Sequence, residues 1–478
     1  MIGNFLKKAI SLLFILIIIT MPVYAFDDLS TGKSLDITSR GAIVVDLNTD
    51  SILYKRNINQ QCRPASLTKM MTLLVAYEQT VGRHDELVSL TEKMISVPSG
   101  SSSAYLKNGD KISIRDLFYA MMLPSGNDAA KALAYIVSGN EENFALLMND
   151  KARELGMKGS NFKNAHGFDE DGHYTTTYDL ALLSIALCKN EDLVKVFSSY
   201  KHTVTIYSNG DMNTPTTQTY YNTNNLLNPN LSVYFPGYKG IKTGFTALAG
   251  NCLAGYYDHN GRKLVAITTF SQENHRDPDM TALLKYGLES FDTLNLNEVF
   301  ASKKIIVDLE NASNTDESNG QLELYLDHPK EAKYITVSAS VGKKIRTFDE
   351  GTVSIRYPLL KAPQKIGETV GIVEYIYNNQ VIYSVPAKAS RTVDAEIISP
   401  SDLNSLGIKG KNKLSFGFLT SKFFLIPFFT VIILLVVFGL WIYFRKQQTI
   451  KIIKRQKNGI GRRKRRRASS RPNNRTML

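Results

Sequence analysis

The sequence predicts an α+β body, then a small all-β domain, then a C-terminal transmembrane helix. Three observations carry that prediction. Strand-like runs stand at both ends of residues 35–296, with helix-like stretches between them. Residues 300–396 show only short alternating or apolar runs separated by turn residues. Residues 423–444 carry no charge and are mostly aliphatic or aromatic.

At the N-terminus, Lys7 and Lys8 precede an apolar run over 9–19, and Pro22-Val23-Tyr24-Ala25 supplies small residues for cleavage. That layout is a secretory signal over residues 1–25. The first body, 26–296, opens with Gly41-Ala42-Ile43-Val44-Val45-Asp46, a buried strand. A turn at Asn48-Thr49-Asp50 leads to a second strand at Ile52-Leu53-Tyr54. Pro64-Ala65-Ser66 opens an apolar helix through Ala76, since proline is tolerated at a helix start. Ser113 caps a helix to Met122, and Pro124 breaks it. A further helix runs from near Asp128 to Gly139. Residues 141–187 are helical in parts around a polar loop at 164–177. Residues 204–270 are mainly strand and turn, and 279–290 are helical. Beyond them, Ile305-Ile306-Val307, Leu322-Glu323-Leu324-Tyr325-Leu326, Tyr334-Ile335-Thr336-Val337 and Val381-Ile382-Tyr383-Ser384-Val385 are the strands of the β-rich domain at 300–396. A Ser, Asn, Gly and Lys rich linker (397–422) leads to 423–444, which as a helix extends ~33 Å and crosses the hydrocarbon. Four lysines (409, 411, 413 and 422) precede this span and fourteen basic residues follow it. The positive-inside rule places the 445–478 tail in the cytoplasm and residues 26–422 outside.

The chain has 478 residues, 43% hydrophobic and 21% charged, which excludes a disordered tail or a disulfide-stapled mini-protein. Its net charge of +13 is misleading. The tail holds fourteen of the 57 Lys and Arg and the first 25 residues hold two, leaving 41 basic against 44 acidic residues over 26–444. The body is near neutral and offers no basic groove for nucleic acid. Three cysteines, Cys62, Cys188 and Cys252, define neither a disulfide framework nor a zinc knuckle.

Three short motifs carry chemistry. Ser66-Leu67-Thr68-Lys69 sits at a helix start, where positions i and i+3 share a face and a hydroxyl can meet an amine. A serine needs a neighbouring base to become nucleophilic. A lysine held neutral by desolvation or by nearby cations is such a base. Ser-x-x-Lys recurs four more times in the chain, so the spacing alone has little weight. Ser125-Gly126-Asn127 follows Pro124 in a break between helices, where a hydroxyl and an amide can point into a cleft. The copy at Ser138-Gly139-Asn140 ends a helical run and needs only a helix-terminal explanation. Lys242-Thr243-Gly244 occurs once, followed by Phe245, in a strand beside the same cleft. It offers a charge, a hydroxyl and, at Gly244, room for substrate backbone.

In this order the three motifs resemble those of the low-molecular-mass penicillin-binding proteins, specifically the serine-type D-alanyl-D-alanine carboxypeptidases, over about 35–396. Asn164-Ala165-His166-Gly167, His173-Tyr174-Thr175-Thr176 and Tyr178-Asp179-Leu180-Ala181 resemble the family's segment between the second and third motifs, with both histidines structural. The resemblance implies a penicillin-binding/β-lactamase-like transpeptidase domain: an antiparallel sheet with helices on both faces plus a helical subdomain. It implies that Ser66 attacks the carbonyl between the two terminal D-Ala residues of a peptidoglycan stem peptide, D-Ala leaves, and water hydrolyses the acyl-enzyme. Lys69 is then the base. Ser125 and Asn127 relay the proton and hold the substrate amide, while Lys242 and Thr243 bind the terminal carboxylate. The N–H groups of Ser66 and Phe245 form the oxyanion hole, and Arg276 stands near the carboxylate. It implies no cofactor and no metal, and β-lactam antibiotics as covalent inhibitors. The membrane-crossing span departs from the family's usual amphipathic surface anchor.

Other classes fit less well. A class A β-lactamase needs a deacylating Glu with Asn four residues on, and no Glu between Asn127 and Lys242 has one. The seven His show no HExxH or HxH spacing, and no Gly-x-Ser-x-Gly is present. Two readings use the same residues differently: a DD-endopeptidase acting on cross-links, and a non-catalytic β-lactam-binding wall protein.

Overall fold

The computed structural model describes residues 27–301, 303–349 and 351–396. The expected signal peptide, linker, membrane span and basic tail lie outside them. Among the described residues no helix is long and apolar enough to cross a membrane.

In chain order the first body contains β1 (Gly41–Asp46), β2 (Ser51–Arg56), α1 (Thr68–Gln79), α2 (Ile114–Met122), α3 (Asn127–Ser138), α4 (Glu141–Glu154) and α5 (Thr177–Cys188). Then come β3 (Tyr238–Thr246), β4 (Gly250–His259), β5 (Arg262–Ser271), α6 (Arg276–Ser290) and β6 (Phe291–Asn295). The five long strands of the main sheet run β2-β1-β5-β4-β3, each pair of neighbours antiparallel. A two-residue strand, Asp27–Asp28, adds to β2 in parallel, so the sheet is not wholly antiparallel. β1 is buried at every position because both faces are covered. Ala42 and Val44 join a core with Met280, Leu283 and Leu284 of α6, while Ile43 and Val45 join the larger core around α1 and α5. That is why β1 is a continuous apolar run rather than an alternating one.

α1 is the central helix, buried from Thr68 through Ala76. Burying Met70, Leu73 and Leu74 contributes roughly 1.5–3 kcal/mol each. The helix begins later than the sequence suggests. Ala65–Leu67 form a separate 3-10 turn, because Ala65 has φ +49° and cannot continue an α-helix. α6, by contrast, begins earlier than the sequence suggests, at Arg276 rather than at 279.

The helical subdomain follows its punctuation. Ser113 Oγ accepts from Asp116 N–H at 3.0 Å and caps α2. Gly139 ends α3 in the left-handed region at φ +80°, donating to Tyr135 O at 2.8 Å. Asn140 then caps α4. The second Ser-Gly-Asn copy is thus a helix-to-helix joint.

Beyond β6 lie β7 (Ile305–Glu310), β8 (Gln321–Leu326), β9 (Tyr334–Ser338), α7 (Ala339–Arg346), β10 (Val353–Arg356), β11 (Leu360–Lys361), β12 (Thr369–Tyr377) and β13 (Gln380–Ala389). Six of these strands form one sheet in the order β10-β12-β13-β8-β7-β11. Its core stacks Phe300 on Tyr375 with ring centroids 3.7 Å apart. Two features differ from the sequence reading. β9 pairs with β6 instead of joining this sheet. α7 is a helix among strands: Gly342 and Ile345 are buried while Lys343, Lys344 and Arg346 face out. Arg346 pairs with Asp292 of β6 at 2.9 Å, tying α7 to that strand. All three cysteines are free thiols. Burial pushes the Cys62 thiol up to about 12, which keeps it protonated and unreactive.

Candidate active site

The motif residues meet at one end of α1. Lys69 is fully buried, and its Nζ has three oxygen neighbours: Ser66 Oγ at 2.8 Å, Asn127 Oδ1 at 2.6 Å and the His166 carbonyl at 2.8 Å. The 3-10 turn leaves Ser66 half-buried with its hydroxyl over the amine. Asn127 is the first residue of α3, so the break at Pro124 aims its side chain at α1. Burial, followed by the charge of Lys242, holds the Lys69 amine well below the ordinary lysine range, with Asp128 pulling weakly the other way.

β3 is the edge strand of the sheet and passes against the serine turn. A Cβ on Gly244 would lie 3.3 Å from Ala65 Cβ, Pro64 O and Leu67 N. The space left by its missing side chain is therefore taken by the serine turn, not kept for substrate as the sequence suggested. Lys242 is 1% exposed, and its Nζ donates to the Thr243 carbonyl at 3.1 Å. Burial and the nearby Arg276 guanidinium lower its pKa to about 7. Thr243 Oγ1 lies 2.6 Å from Thr223 Oγ1. Phe245, next along the strand, is 64% exposed. It borders an open groove of about 700 Å³ that Arg276 also lines. Arg276 opens α6 and donates from Nε to Asp277 at 2.9 Å, which fixes the guanidinium near Lys242. Ser125 is buried and sits at φ +65°. Ala65 and Ser125 are thus two non-glycine residues in the left-handed region, one beside the nucleophile and one in the second motif. Strain of this kind gathers where surrounding structure holds reacting groups in place.

Sequence reasoning missed several supports. Asp128 accepts from Ser103 Oγ at 2.7 Å, Ala104 N at 2.9 Å and Leu106 N at 3.2 Å, clamping the 102–106 loop onto the Ser125-Gly126-Asn127 turn. A buried acid directly after the motif Asn was the available signal. The His166 contribution is its backbone carbonyl, which residue type does not encode. The Asn164-Ala165-His166-Gly167 loop docks on α1 throughout. Thr72 Oγ1 donates to Ala165 O at 2.5 Å, and Asn164 Oδ1 accepts from Gly167 N at 2.8 Å. The His166 ring is buried, and its Nδ1 accepts from Phe168 N–H at 3.1 Å. Burial, then Lys69, lowers its pKa to about 3, so it stays neutral and serves as structure. His173 Nε2 lies 2.9 Å from Thr68 Oγ1, and burial lowers its pKa to about 4.

Gly167 has φ +89°, and a Cβ there would lie 1.9 Å from the Ala65 carbonyl oxygen. Gly167→Ala is expected to cost about 3 kcal/mol or more of stability through strain and overlap. It should also slow acylation by fluorescent penicillin, because the loop carries an oxygen that Lys69 needs. Unfolding midpoints and labelling rates measured together check both effects.

A serine hydroxyl on a buried lysine amine, flanked by a second buried lysine on an edge strand, is an arrangement suited to a serine hydrolase. Known proteins agree. The D-alanyl-D-alanine carboxypeptidase family, peptidase S11, matches residues 28–272. D-alanyl-D-alanine carboxypeptidase DacF of Bacillus subtilis is 31% identical over 310 residues, covering 63% of this chain and 76% of that one. The solved D-alanyl-D-alanine carboxypeptidase DacD from Francisella tularensis superposes with a TM-score of 0.53 at 25% identity, over 76% of this chain and 95% of its own. The Streptomyces K15 DD-transpeptidase gives 0.50 at 28% identity, over 54% of this chain and 99% of its own. The chain belongs to the D-alanyl-D-alanine carboxypeptidase family.

Proposed function

We propose that this chain removes the terminal D-Ala from peptidoglycan stem pentapeptides through an acyl-enzyme on Ser66. The observation that carries the reading is the set of three contacts around Lys69. A neutral amine has two N–H donors and one lone pair. The donors suit Asn127 Oδ1 and the His166 carbonyl, and the lone pair faces the Ser66 hydroxyl proton. Lys69 then takes that proton as Ser66 attacks, and Ser125 passes it toward the departing D-Ala nitrogen. Lys242, Thr243 and Arg276 hold the terminal carboxylate. A bound anion raises the Lys242 pKa, so the site becomes fully charged only when occupied. The Asn127 side-chain amide NH₂ remains for the substrate backbone, since its oxygen is held by Lys69. The N–H groups of Ser66 and Phe245 receive the developing oxyanion. Water then releases the shortened peptide, and β-lactams acylate the same serine. In this role the enzyme limits cross-linking during wall synthesis.

The experiment is release of D-Ala from a stem pentapeptide by the purified chain, run beside hydrolysis of a cross-linked dimer. Faster release from the dimer would make the enzyme an endopeptidase. Penicillin labelling without any release would make it a binding protein. The sequence pattern further supports export by residues 1–25 and a single anchor at 423–444, with the catalytic body outside and the basic tail in the cytoplasm. Removing 423–478 is expected to yield a chain that fractionates away from membranes and keeps its penicillin labelling. A truncate still sedimenting with membranes contradicts the anchor.

A further inference from the structure

A second cavity, about 380 Å³, is lined in part by Cys62 and Arg63, just before the serine turn, and has no part in the chemistry above. It is lined by Arg40, Asn57, Gln60, Gln61, Arg63 and the Phe270 ring, among others, and no carboxylate lines it. Arg63 is three residues before Ser66, and Phe270 also lines the groove that holds Phe245 and Arg276. The cavity and the candidate active site therefore adjoin through one aromatic ring.

Two features show that the cavity is shaped rather than incidental. First, Phe270 has φ +54°, at a register shift where β4 and β5 fall out of step between Asn251 and Leu253. A bulky residue in the left-handed region is strained, and bulges of this kind re-aim a side chain near working sites. Second, the Arg40 guanidinium lies over that ring at 3.5 Å from its centroid. Stacking fixes the plane of the guanidinium while leaving its N–H groups directed outward, and no hydrogen bond or ion pair from that side chain is formed among the described residues. The other arginine is partly committed: Arg63 donates to the Glu170 and His173 carbonyls and meets Asp171, a fully exposed carboxylate, at 3.4 Å. A solvent-exposed guanidinium whose plane is set by the Phe270 ring, in a cavity also lined by side-chain amides, matches a planar anion.

We infer that this cavity is a second subsite, which takes a carboxylate carried by the stem peptide at a position other than its C-terminus. The inference rests on the proposed substrate and names a further determinant of its recognition. A guanidinium presents paired donors that match the two oxygens of a carboxylate. The neighbouring amides add donors without adding charge that would compete for the arginine.

The test measures binding in the full chain carrying Ser66→Ala, so that chemistry does not interfere. Two fluorescent pentapeptides are compared, one with free side-chain carboxylates and one with these amidated, both keeping the C-terminal carboxylate. The free form is expected to bind about fivefold more tightly. Arg40→Glu should erase that preference, and Arg40→Lys should restore part of it by returning charge without the planar stack. With Ser66 intact, Arg40→Glu should keep wild-type penicillin labelling, which shows that the fold and nucleophile are unaffected. Equal affinity for the two peptides overturns the inference. So does an Arg40→Glu loss of the same size on both, since that is general electrostatics rather than recognition. Absence of D-Ala release by the unmutated chain, with the carboxylate preference present, would sink the proposed reaction and leave the subsite standing.

Discussion

Replacing Ser66 by alanine is expected to abolish covalent labelling by fluorescent penicillin and to lower D-Ala release by about 10⁴-fold or more, because the proposed acyl-enzyme forms on that hydroxyl. The fold should survive the change. Lys69 keeps two of its three oxygen partners, Asn127 and His166, and the half-buried serine side chain leaves only a small gap. The stability loss should stay near 1 kcal/mol, the net worth of one hydrogen bond. Mass spectrometry of the penicillin adduct, a D-Ala assay and a thermal melt on the same preparation read all three quantities. Full retention of D-Ala release by the alanine variant would place the nucleophile elsewhere.

The second large effect concerns the two buried lysines, which need opposite charge states. In the proposed reaction Lys69 works as a neutral base, so activity is expected to rise with pH as its depressed pKa is passed. In the same proposal Lys242 works as a cation that draws the substrate carboxylate, so kcat/KM is expected to fall as pH rises through its free-enzyme value of about 7. The expected profile of kcat/KM is a bell, with macroscopic limbs that belong to the coupled pair. Substrate binding stabilises the charged Lys242, so the alkaline limb on kcat should lie higher than that on kcat/KM. Lys242→Arg, charged at every accessible pH, should remove the alkaline limb even if its peak is lower. Lys69→Arg supplies no base and should cost about 10³-fold or more at all pH values. An alkaline limb unmoved by Lys242→Arg would assign that limb to another group.

The main features of the site are short-range in sequence and could be recognised there. Ser66 and Lys69 are one helical turn apart. Pro124 had to break a helix, which set Ser125 and Asn127 at a joint between helices, and Lys242-Thr243-Gly244 occurs once. What escaped detection depends on backbone or on distant partners. The His166 carbonyl carries no residue signature. Gly244 resembled a substrate-facing glycine until the serine turn was seen to fill its space. The left-handed Ala65, which splits an expected continuous helix into a 3-10 turn and α1, is imposed by the loop that Gly167 lays against it. The same holds for the trailing region, where β9 looked like its neighbours in sequence but pairs with β6.

By itself the sequence determined which groups are available and in what order: the candidate serine, the lysines, the amide and the alternating apolar runs that set strands and helices. Local covalent spacing and hydrophobic period are properties of the chain, so these could be read directly. Only the tertiary structure decided the protonation of those groups and which of them share a cleft. The Lys69 pKa is held down here because burial strips away water and a second lysine, 173 positions later in the chain, brings like charge near it. Neither desolvation nor long-range charge is a property of any short stretch of residues, and both arise only when the sheet edge closes on the helix.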